Sequence, residues 1–184
     1  PASAEKNTAT LEVMSIGQRT PVLLRNEFAA AGELFHACLE HWAPPATGRD
    51  LQGLALALGI PVARYDEILR AAKALMGTPH LARFFDPARF LRAYNEMAIL
   101  DEEGALQRLD RVVEFDDEIW VLDYKTGADS LRETDAVLQD RHRGQLARYA
   151  RLLARFYPAK PIRAALILAD GRLISLELAE LNGQ

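Results

Sequence analysis

The fold is decided by residues 94–125, which read Tyr94-Asn-Glu-Met-Ala-Ile-Leu-Asp-Glu-Glu-Gly-Ala-Leu-Gln-Arg-Leu-Asp-Arg-Val-Val-Glu-Phe-Asp-Asp-Glu-Ile-Trp-Val-Leu-Asp-Tyr-Lys125. Two short polar segments, Asp101-Glu-Glu-Gly104 and Asp116-Asp117, separate runs that are rich in Val, Ile, Leu and Trp. Asp and Gly favour tight turns, and the apolar residues favour strands on either side of them. The stretch is therefore predicted to form three strands joined by two hairpin turns.

The turn positions also predict how the strands pair. A symmetric turn at Asp116-Asp117 places Asp110 directly opposite Asp123. A type I turn that is closed by a left-handed Gly104 places Glu96 opposite Asp110. A shift of one residue in either turn would move these side chains to the other face, so the prediction depends on both turns.

Three carboxylates are predicted to form a row on one face of this sheet, because side chains alternate between faces along a strand. They are Glu96, Asp110 and Asp123, with Lys125 beside them on the same face. Like charges opposite one another destabilise a sheet, so the row needs a bound cation, a raised pKa or open solvent. A solvated strand face is the simpler interpretation, but the long apolar runs predict burial on both faces.

Composition limits the classes of protein that remain. The chain has 184 residues, 49% of them hydrophobic, and a net charge of −4, as expected for one globular domain that is not strongly basic. The single cysteine, Cys38, excludes an internal disulfide and any four-cysteine zinc or Fe–S site. Neither a membrane-spanning stretch nor a secretory signal is visible, which predicts a cytoplasmic setting. Because Pro1 is not a translation start, we expect a fragment of a longer protein.

The remaining chain is predicted to place helices on both sides of the three strands. Residues 1–25 are interpreted as a tail or linker, and Asn26 as the cap of a helix that ends near residue 42. A helical segment at about 50–85 precedes the strands, and a long helix follows at 133–156. A hairpin with its turn at Asp170-Gly171 spans 162–169 and 173–178. The order predicts an α/β fold with a mixed sheet, and a right-handed crossover between the strands of Asp123 and Ile162.

The motif Asp123-Tyr-Lys125 becomes chemically informative together with Asp110. Hard divalent cations prefer carboxylate oxygens on a rigid backbone, and two facing aspartates would provide them. A nearby lysine can orient a water molecule or stabilise charge that builds on a phosphate. These groups are suited to hydrolysing a phosphodiester.

Two features outside the strands are ambiguous by themselves. His36 lies on an apolar helix face, where a histidine is more often part of the core than a ligand. The helix at 133–156 carries Arg143 and Arg148 among several arginines, which can follow a phosphate backbone. A solvated charged face is the commoner explanation of such a pattern.

Five motifs in one order resemble the RecB/AddA branch of the PD-(D/E)xK nucleases, found at the C-terminus of UvrD-like helicase–nucleases. The matching segments are Gly32-Glu-Leu-Phe-His36 with Leu39-Glu40, then Glu96, Leu109-Asp110-Arg111-Val112, Asp123-Tyr-Lys-Thr-Gly127 and Gln145-x-x-x-Tyr149. The resemblance implies a restriction-endonuclease-like core within residues 26–184. One departure is Gln107-Arg-Leu, where many members have a glycine before the aspartate.

The resemblance also implies roles for the matched positions. The metal, Mg²⁺ or Mn²⁺, would be bound by His36, Asp110, Asp123 and the main-chain carbonyl of Tyr124. Lys125 would be the catalytic lysine, acting with Asp110 and Asp123. Glu96, the fourth catalytic residue, would help to hold the site or bind metal or water. Gln145 and Tyr149 would support the site and contact the DNA.

The resemblance further implies a biological setting. It predicts a deoxyribonuclease, more often an exonuclease than an endonuclease, acting in double-strand break repair and recombination near the nucleoid. The expected partners are DNA, including single-stranded ends, a helicase domain of the same polypeptide and a second helicase–nuclease subunit; no membrane is expected. Cys38 alone cannot hold the Fe–S cluster of the AddB-like relatives, which favours the AddA/RecB side. The alternatives are a catalytically silent DNA- or subunit-binding module and a structural module with merely solvated acids.

Overall fold

The computed structural model describes residues 21–46 and 48–177, without the side chains of residues 21–26 and 128. It is an α/β fold with one five-stranded mixed sheet flanked by helices, as predicted. The helices are α1 (Pro21–Trp42), α2 (Leu51–Ala57), α3 (Val62–Met76), α4 (Ala82–Phe85), α5 (Ala128–Arg132) and α6 (Asp135–Ala154). The strands are β1 (Arg92–Leu100), β2 (Leu106–Glu114), β3 (Ile119–Lys125), β4 (Ile162–Leu168) and β5 (Leu173–Leu176).

The strands lie side by side in chain order, and their register confirms both turn predictions. Asn95 pairs with Arg111 and Met97 with Leu109, the register that places Glu96 opposite Asp110. Arg111 pairs with Leu122, so the next residues along β2 and β3 are Asp110 and Asp123. β3 and β4 are parallel, which confirms a crossover connection through α6, and β5 pairs antiparallel with β4.

Both faces of the sheet are buried, which confirms the prediction from the apolar runs. On one face, Val113, Leu122 and Tyr124 pack against α1 to α4 and form what we call the first core. On the other face, Val112 and Val121 pack with Leu138, Leu146 and Leu153 of α6 and form the second core. The central strands therefore hold the backbone near Asp110 and Asp123 rigidly between two hydrophobic layers.

Two helix predictions need correction at their ends. α1 begins at Pro21 rather than after Asn26, and α5 lies between β3 and the predicted long helix, in residues for which no helix was predicted. The other elements agree with the predictions to within a few residues. Residues 1–20 and Leu178 lie outside the described residues, so the tail and the division into domains stay predictions. No helix of the described part is long and apolar enough to cross a bilayer.

A fully buried arginine joins the end of α1 to the sheet. The guanidinium of Arg111 donates to the carbonyl oxygens of Phe84 and Pro44 and to Oδ1 of Asn95. The amide of Asn95 donates in turn to the carbonyl oxygen of Ala43, at the end of α1, at 2.8 Å. Since buried carbonyls need partners, this network fixes α1 against β1 and β2.

The middle of α1 is held against the end of β3 by a close approach at Gly32. The hydroxyl of Thr126 donates to the carbonyl oxygen of Gly32 at 3.0 Å. A Cβ atom at Gly32 would lie 3.0 Å from that hydroxyl and 3.4 Å from the Thr126 carbonyl oxygen. Glycine at this position therefore lets the helix, and His36 one turn later, approach the strand.

Candidate metal centre

The site lies where β2 and β3 separate. Their regular pairing ends at Arg111 and Leu122. Beyond that point the Oδ2 atom of Asp110 accepts a hydrogen bond from the main-chain N–H of Tyr124 at 2.8 Å. A carboxylate thus replaces the next carbonyl of the ladder, and it lies between the two strands rather than on either face.

The predicted single row of acids is wrong, because the alternation of side chains changes in β1. Glu96 has a φ of +51°, a left-handed conformation that is uncommon for residues other than glycine. Ahead of it, Asn95 bonds to the end of α1, whereas Met97 packs against the second core. This change of face turns Glu96 towards α1, while Asp123 lies on the α6 side. Such strain persists where the surrounding structure holds it, often at functional sites.

His36 of α1 lies among three carboxylates. Its Nε2 atom is 3.3 Å from Oε1 of Glu40, 3.7 Å from Oε1 of Glu96 and 3.7 Å from Oδ2 of Asp110. The His36 ring also packs edge-on against Tyr124. His36, Glu40 and Glu96 offer ligand atoms within 4.8 Å of one another, close enough to share one cation.

Glu40 is a residue of this site whose role the sequence did not reveal. It is buried, and it lies one helical turn after His36, so the two side chains share one face of α1. That spacing was the signal available, together with its place in the Leu39-Glu40 motif. Only the packing of α1 on the sheet shows that Glu40 also reaches Glu96.

The α6 side of the site contains Asp123, Lys125, Gln145 and Tyr149. The Nζ atom of Lys125 is 2.5 Å from Oδ2 of Asp123. The Nε2 atom of Gln145 donates to Oδ1 of Asp123 at 3.2 Å and to the hydroxyl of Tyr149 at 2.9 Å. Gln145 and Tyr149, one turn apart on α6, therefore orient Asp123 from the face of the sheet that α6 covers.

The residues that were predicted to bind DNA occupy different environments. Tyr149 is only 7% exposed and Gln145 is half-buried, so their described contacts are with the site itself. Arg143 is exposed and donates to the carbonyl oxygen of Glu177, and Arg148 is exposed on another face of α6. A role of these four residues in DNA binding stays a prediction.

Burial and crowding of negative charge change the acidity of the site. Burial, followed by the charge of Asp123, raises the pKa of Asp110 to about 7. The hydrogen bond from Tyr124 and the charge of Lys125 oppose this rise. Burial, followed by the charges of Glu40 and Asp110, also raises the pKa of Glu96. Without a cation, the carboxyl groups of the site therefore resist ionisation, and a bound positive ion would favour their ionised forms.

The raised pKa of Asp110 predicts a pH-dependent stability. The folded carboxyl stays protonated up to about pH 7, whereas the unfolded one ionises near pH 4. Folding therefore binds a proton in this range, and the contribution of Asp110 to stability falls as pH rises from about 4 to 7. In EDTA, the stability of Asp110→Asn relative to the wild type should rise by roughly 3 kcal/mol between pH 5 and pH 8, because about two pKa units of the shift fall in this range and each corresponds to about 1.4 kcal/mol.

Urea unfolding at the two pH values measures this difference. Asp117→Asn, in the exposed turn between β2 and β3, is the matched control and should show no such change. A gap between the wild type and Asp110→Asn that stays constant over this range would contradict the raised pKa.

The polar atoms of the site fit a hard divalent cation. Buried Nε2 of His36 makes no hydrogen bond among the described residues. Neighbouring ligand atoms are carboxylate oxygens, which Mg²⁺ and Mn²⁺ prefer. One imidazole with several carboxylates can therefore hold such an ion, which would also give Nε2 of His36 a partner.

Comparison with known families agrees with this geometry. The profile of the PD-(D/E)XK nuclease superfamily matches residues 15–180. A search of curated proteins gives no significant match. The family match covers every residue that the site brings together.

Proposed function

The chain belongs to the PD-(D/E)XK nuclease superfamily, and from this we propose that it is a metal-dependent DNA nuclease domain. One observation carries the proposal: His36, Glu96 and Asp110 meet in the middle of β2, where it separates from β3, next to the paired Asp123 and Lys125 of β3. A solvated structural face would not bury an aspartate beside a lysine at the point where two strands separate.

We assign the metal site to His36, Asp110, Asp123 and the main-chain carbonyl of Tyr124. Glu40 and Glu96 lie against His36 and add negative charge that favours a cation. A bound Mg²⁺ or Mn²⁺ would supply Lewis-acid polarisation of a phosphoryl oxygen and would lower the pKa of a bound water molecule.

Lys125 is proposed as the catalytic lysine. Its ammonium group is the cation paired with Asp123, on the face of the sheet that α6 covers. From there it can donate a hydrogen bond to a water molecule or to a phosphate oxygen. Gln145, which is anchored on Tyr149, keeps the carboxylate of Asp123 in one orientation during the reaction.

The wider setting is part of the proposal. The ordered motifs support the nuclease module of an AddA/RecB-like helicase–nuclease that acts in double-strand break repair, preferably as an exonuclease. Its partners would be DNA with single-stranded ends, a helicase domain of the same polypeptide and a second subunit, in the cytoplasm at the nucleoid. Arg143 and Arg148 of α6 are proposed to contact the DNA backbone.

A cleavage assay tests the proposal. Purified protein is incubated with end-labelled single- and double-stranded DNA in Mg²⁺, in Mn²⁺ and in EDTA. We expect cleavage with either metal and none in EDTA. DNA retention on a native gel without cleavage in either metal would favour the catalytically silent binding module.

The close approach at Gly32 gives a further prediction. In Gly32→Ala, the added Cβ would push α1 away from Thr126 and move His36 out of position, so cleavage should fall by about tenfold or more. Stability should change little, since alanine gains about 1 kcal/mol of helix propensity that offsets the crowding.

Gly144→Ala is the matched control in α6. A Cβ atom there meets no other atom within 4 Å, so this change should preserve cleavage and raise stability slightly. Steady-state cleavage rates and thermal unfolding measure both variants. Unchanged cleavage by Gly32→Ala would refute the importance of the close approach.

A further inference from the structure

Two arginines lie at the mouth of the site, next to its carboxylates. Arg49 Nη1 is 2.5 Å from Oε2 of Glu40, and Arg108 Nη1 is 3.2 Å from Oε2 of Glu96. The side chain of Arg49 is 44% exposed and that of Arg108 is 66% exposed. The two arginines come from different parts of the chain, before α2 and from β2, and they converge on one opening.

The arginines and the carboxylates form two layers. Glu40 and Glu96 each direct Oε1 towards His36 and Oε2 towards an arginine. The inner oxygens thus belong to the possible cation site, and the outer oxygens hold the guanidinium groups. All of these side chains line one pocket of about 260 Å³, together with Asp110.

A purely structural role for the arginines explains only part of this arrangement. An exposed ion pair contributes little to stability, about 1 kcal/mol or less, so Arg108 is not needed to hold the fold. Each guanidinium carries five N–H donors in a flat fork, and one nitrogen of each faces the carboxylate. Because both side chains are well exposed, the remaining donors are within reach of a phosphate that binds at the opening.

We propose that Arg49 and Arg108 are phosphate-binding residues, which exchange their carboxylate partners for backbone phosphates of DNA when a divalent cation occupies the site. The positive charge of the cation compensates the negative charge of Glu40 and Glu96, and this weakens the ion pairs of both carboxylates with the arginines. The released guanidinium groups then contact the phosphates that flank the one bound at the metal. This inference rests on the proposed function, and it assigns DNA contact to residues outside α6.

Fluorescence anisotropy with a labelled single-stranded oligonucleotide tests the exchange. Binding is measured in Ca²⁺ and in EDTA over a series of salt concentrations, and a gel shows that the oligonucleotide stays intact. In Ca²⁺, Arg108→Ala and Arg49→Ala should each lower affinity about three- to tenfold. Each should also reduce the slope of the logarithm of the binding constant against the logarithm of the salt concentration by about 0.7, the value for one lost phosphate contact on a single strand. In EDTA the same changes should lower affinity less than about twofold.

Arg163→Ala is the matched control. Arg163 is also an exposed arginine near a carboxylate, that of Glu118, and it pairs with Trp120 at the start of β4, at the opposite end of the β3–β4 pair from Lys125. Its loss changes the net charge equally and should leave DNA affinity unchanged. Should Arg49→Ala fail to fold because Glu40 is left buried and unpaired, Arg49→Ala is combined with Glu40→Gln, and Arg108→Ala still decides the result.

Two results would overturn the inference: unchanged affinity and salt dependence in both arginine variants, or equal losses in Ca²⁺ and in EDTA. The experiment is independent of catalysis. Cleavage by the wild type with unaltered DNA binding by the arginine variants would refute this inference alone. Cation-dependent binding through the arginines without any cleavage would refute the nuclease proposal alone.

Discussion

Replacing Asp123 or Asp110 with alanine is expected to lower the rate of DNA cleavage by about a thousandfold or more. Each change removes a proposed metal ligand and leaves fewer carboxylates around a buried ion. A loss of about 4 kcal/mol of transition-state stabilisation corresponds to this factor, and metal ions commonly contribute several kcal/mol. Cleavage of labelled DNA in Mg²⁺ and calorimetric titration with Mn²⁺ measure both consequences, and binding of Mn²⁺ should weaken in parallel.

Asp117→Ala is the control for the two aspartate variants. It removes the same group from an exposed turn at the far end of the same strands, and it should leave cleavage and metal binding unchanged. Turnover near that of the wild type in either Asp110→Ala or Asp123→Ala would disprove the assignment of the metal site.

Lys125→Ala is expected to separate metal binding from catalysis. Lys125 now neutralises Asp123, so its removal should preserve or strengthen the binding of Mn²⁺. Cleavage should nevertheless fall by about a hundredfold or more, as when other enzymes lose one donor that stabilises charge in the transition state. Titration with Mn²⁺ and single-turnover cleavage at saturating metal measure the two effects separately.

Lys73→Ala provides the comparison, because Lys73 is an exposed lysine of α3 that packs over the Trp42 ring. It should cleave DNA like the wild type. Loss of Mn²⁺ binding by Lys125→Ala would contradict the role given to this lysine and would suggest that it holds the carboxylates in place instead.

Local sequence signals predicted the sheet because turns and strands depend mainly on residues that are close together in the sequence. The turns at Asp101 and Asp116 determined the register of three strands, and the Asp170-Gly171 turn located the final hairpin. The same signals missed α5, since a short helix after Thr126-Gly127 depends on contacts made from a distance. Among those contacts, Arg172 donates to the carbonyl oxygens of Ser130 and Leu131.

The arrangement of the site was less accessible to such signals. Regular alternation of side chains predicted one row of acids, but the left-handed conformation of Glu96 breaks this alternation. The sequence does not predict that conformation, because it is favoured by glycine, asparagine and aspartate rather than by glutamate. The proximity of His36 to Asp110 followed only from resemblance, because it depends on packing between distant segments. Arg111, the buried link between α1 and the sheet, looked like any charged residue in a strand.

Because the Tyr124 amide donates a hydrogen bond to Asp110, its proton is sensitive to the state of the site. Most N–H groups of β3 face carbonyl oxygens, whose charge does not vary, but this one faces a carboxylate that can gain or lose a proton. The NMR resonance of the Tyr124 amide should therefore move with the ionisation of Asp110 and again when a cation competes for the same oxygen. A single labelled amide would thus report pH and metal occupancy without any DNA present.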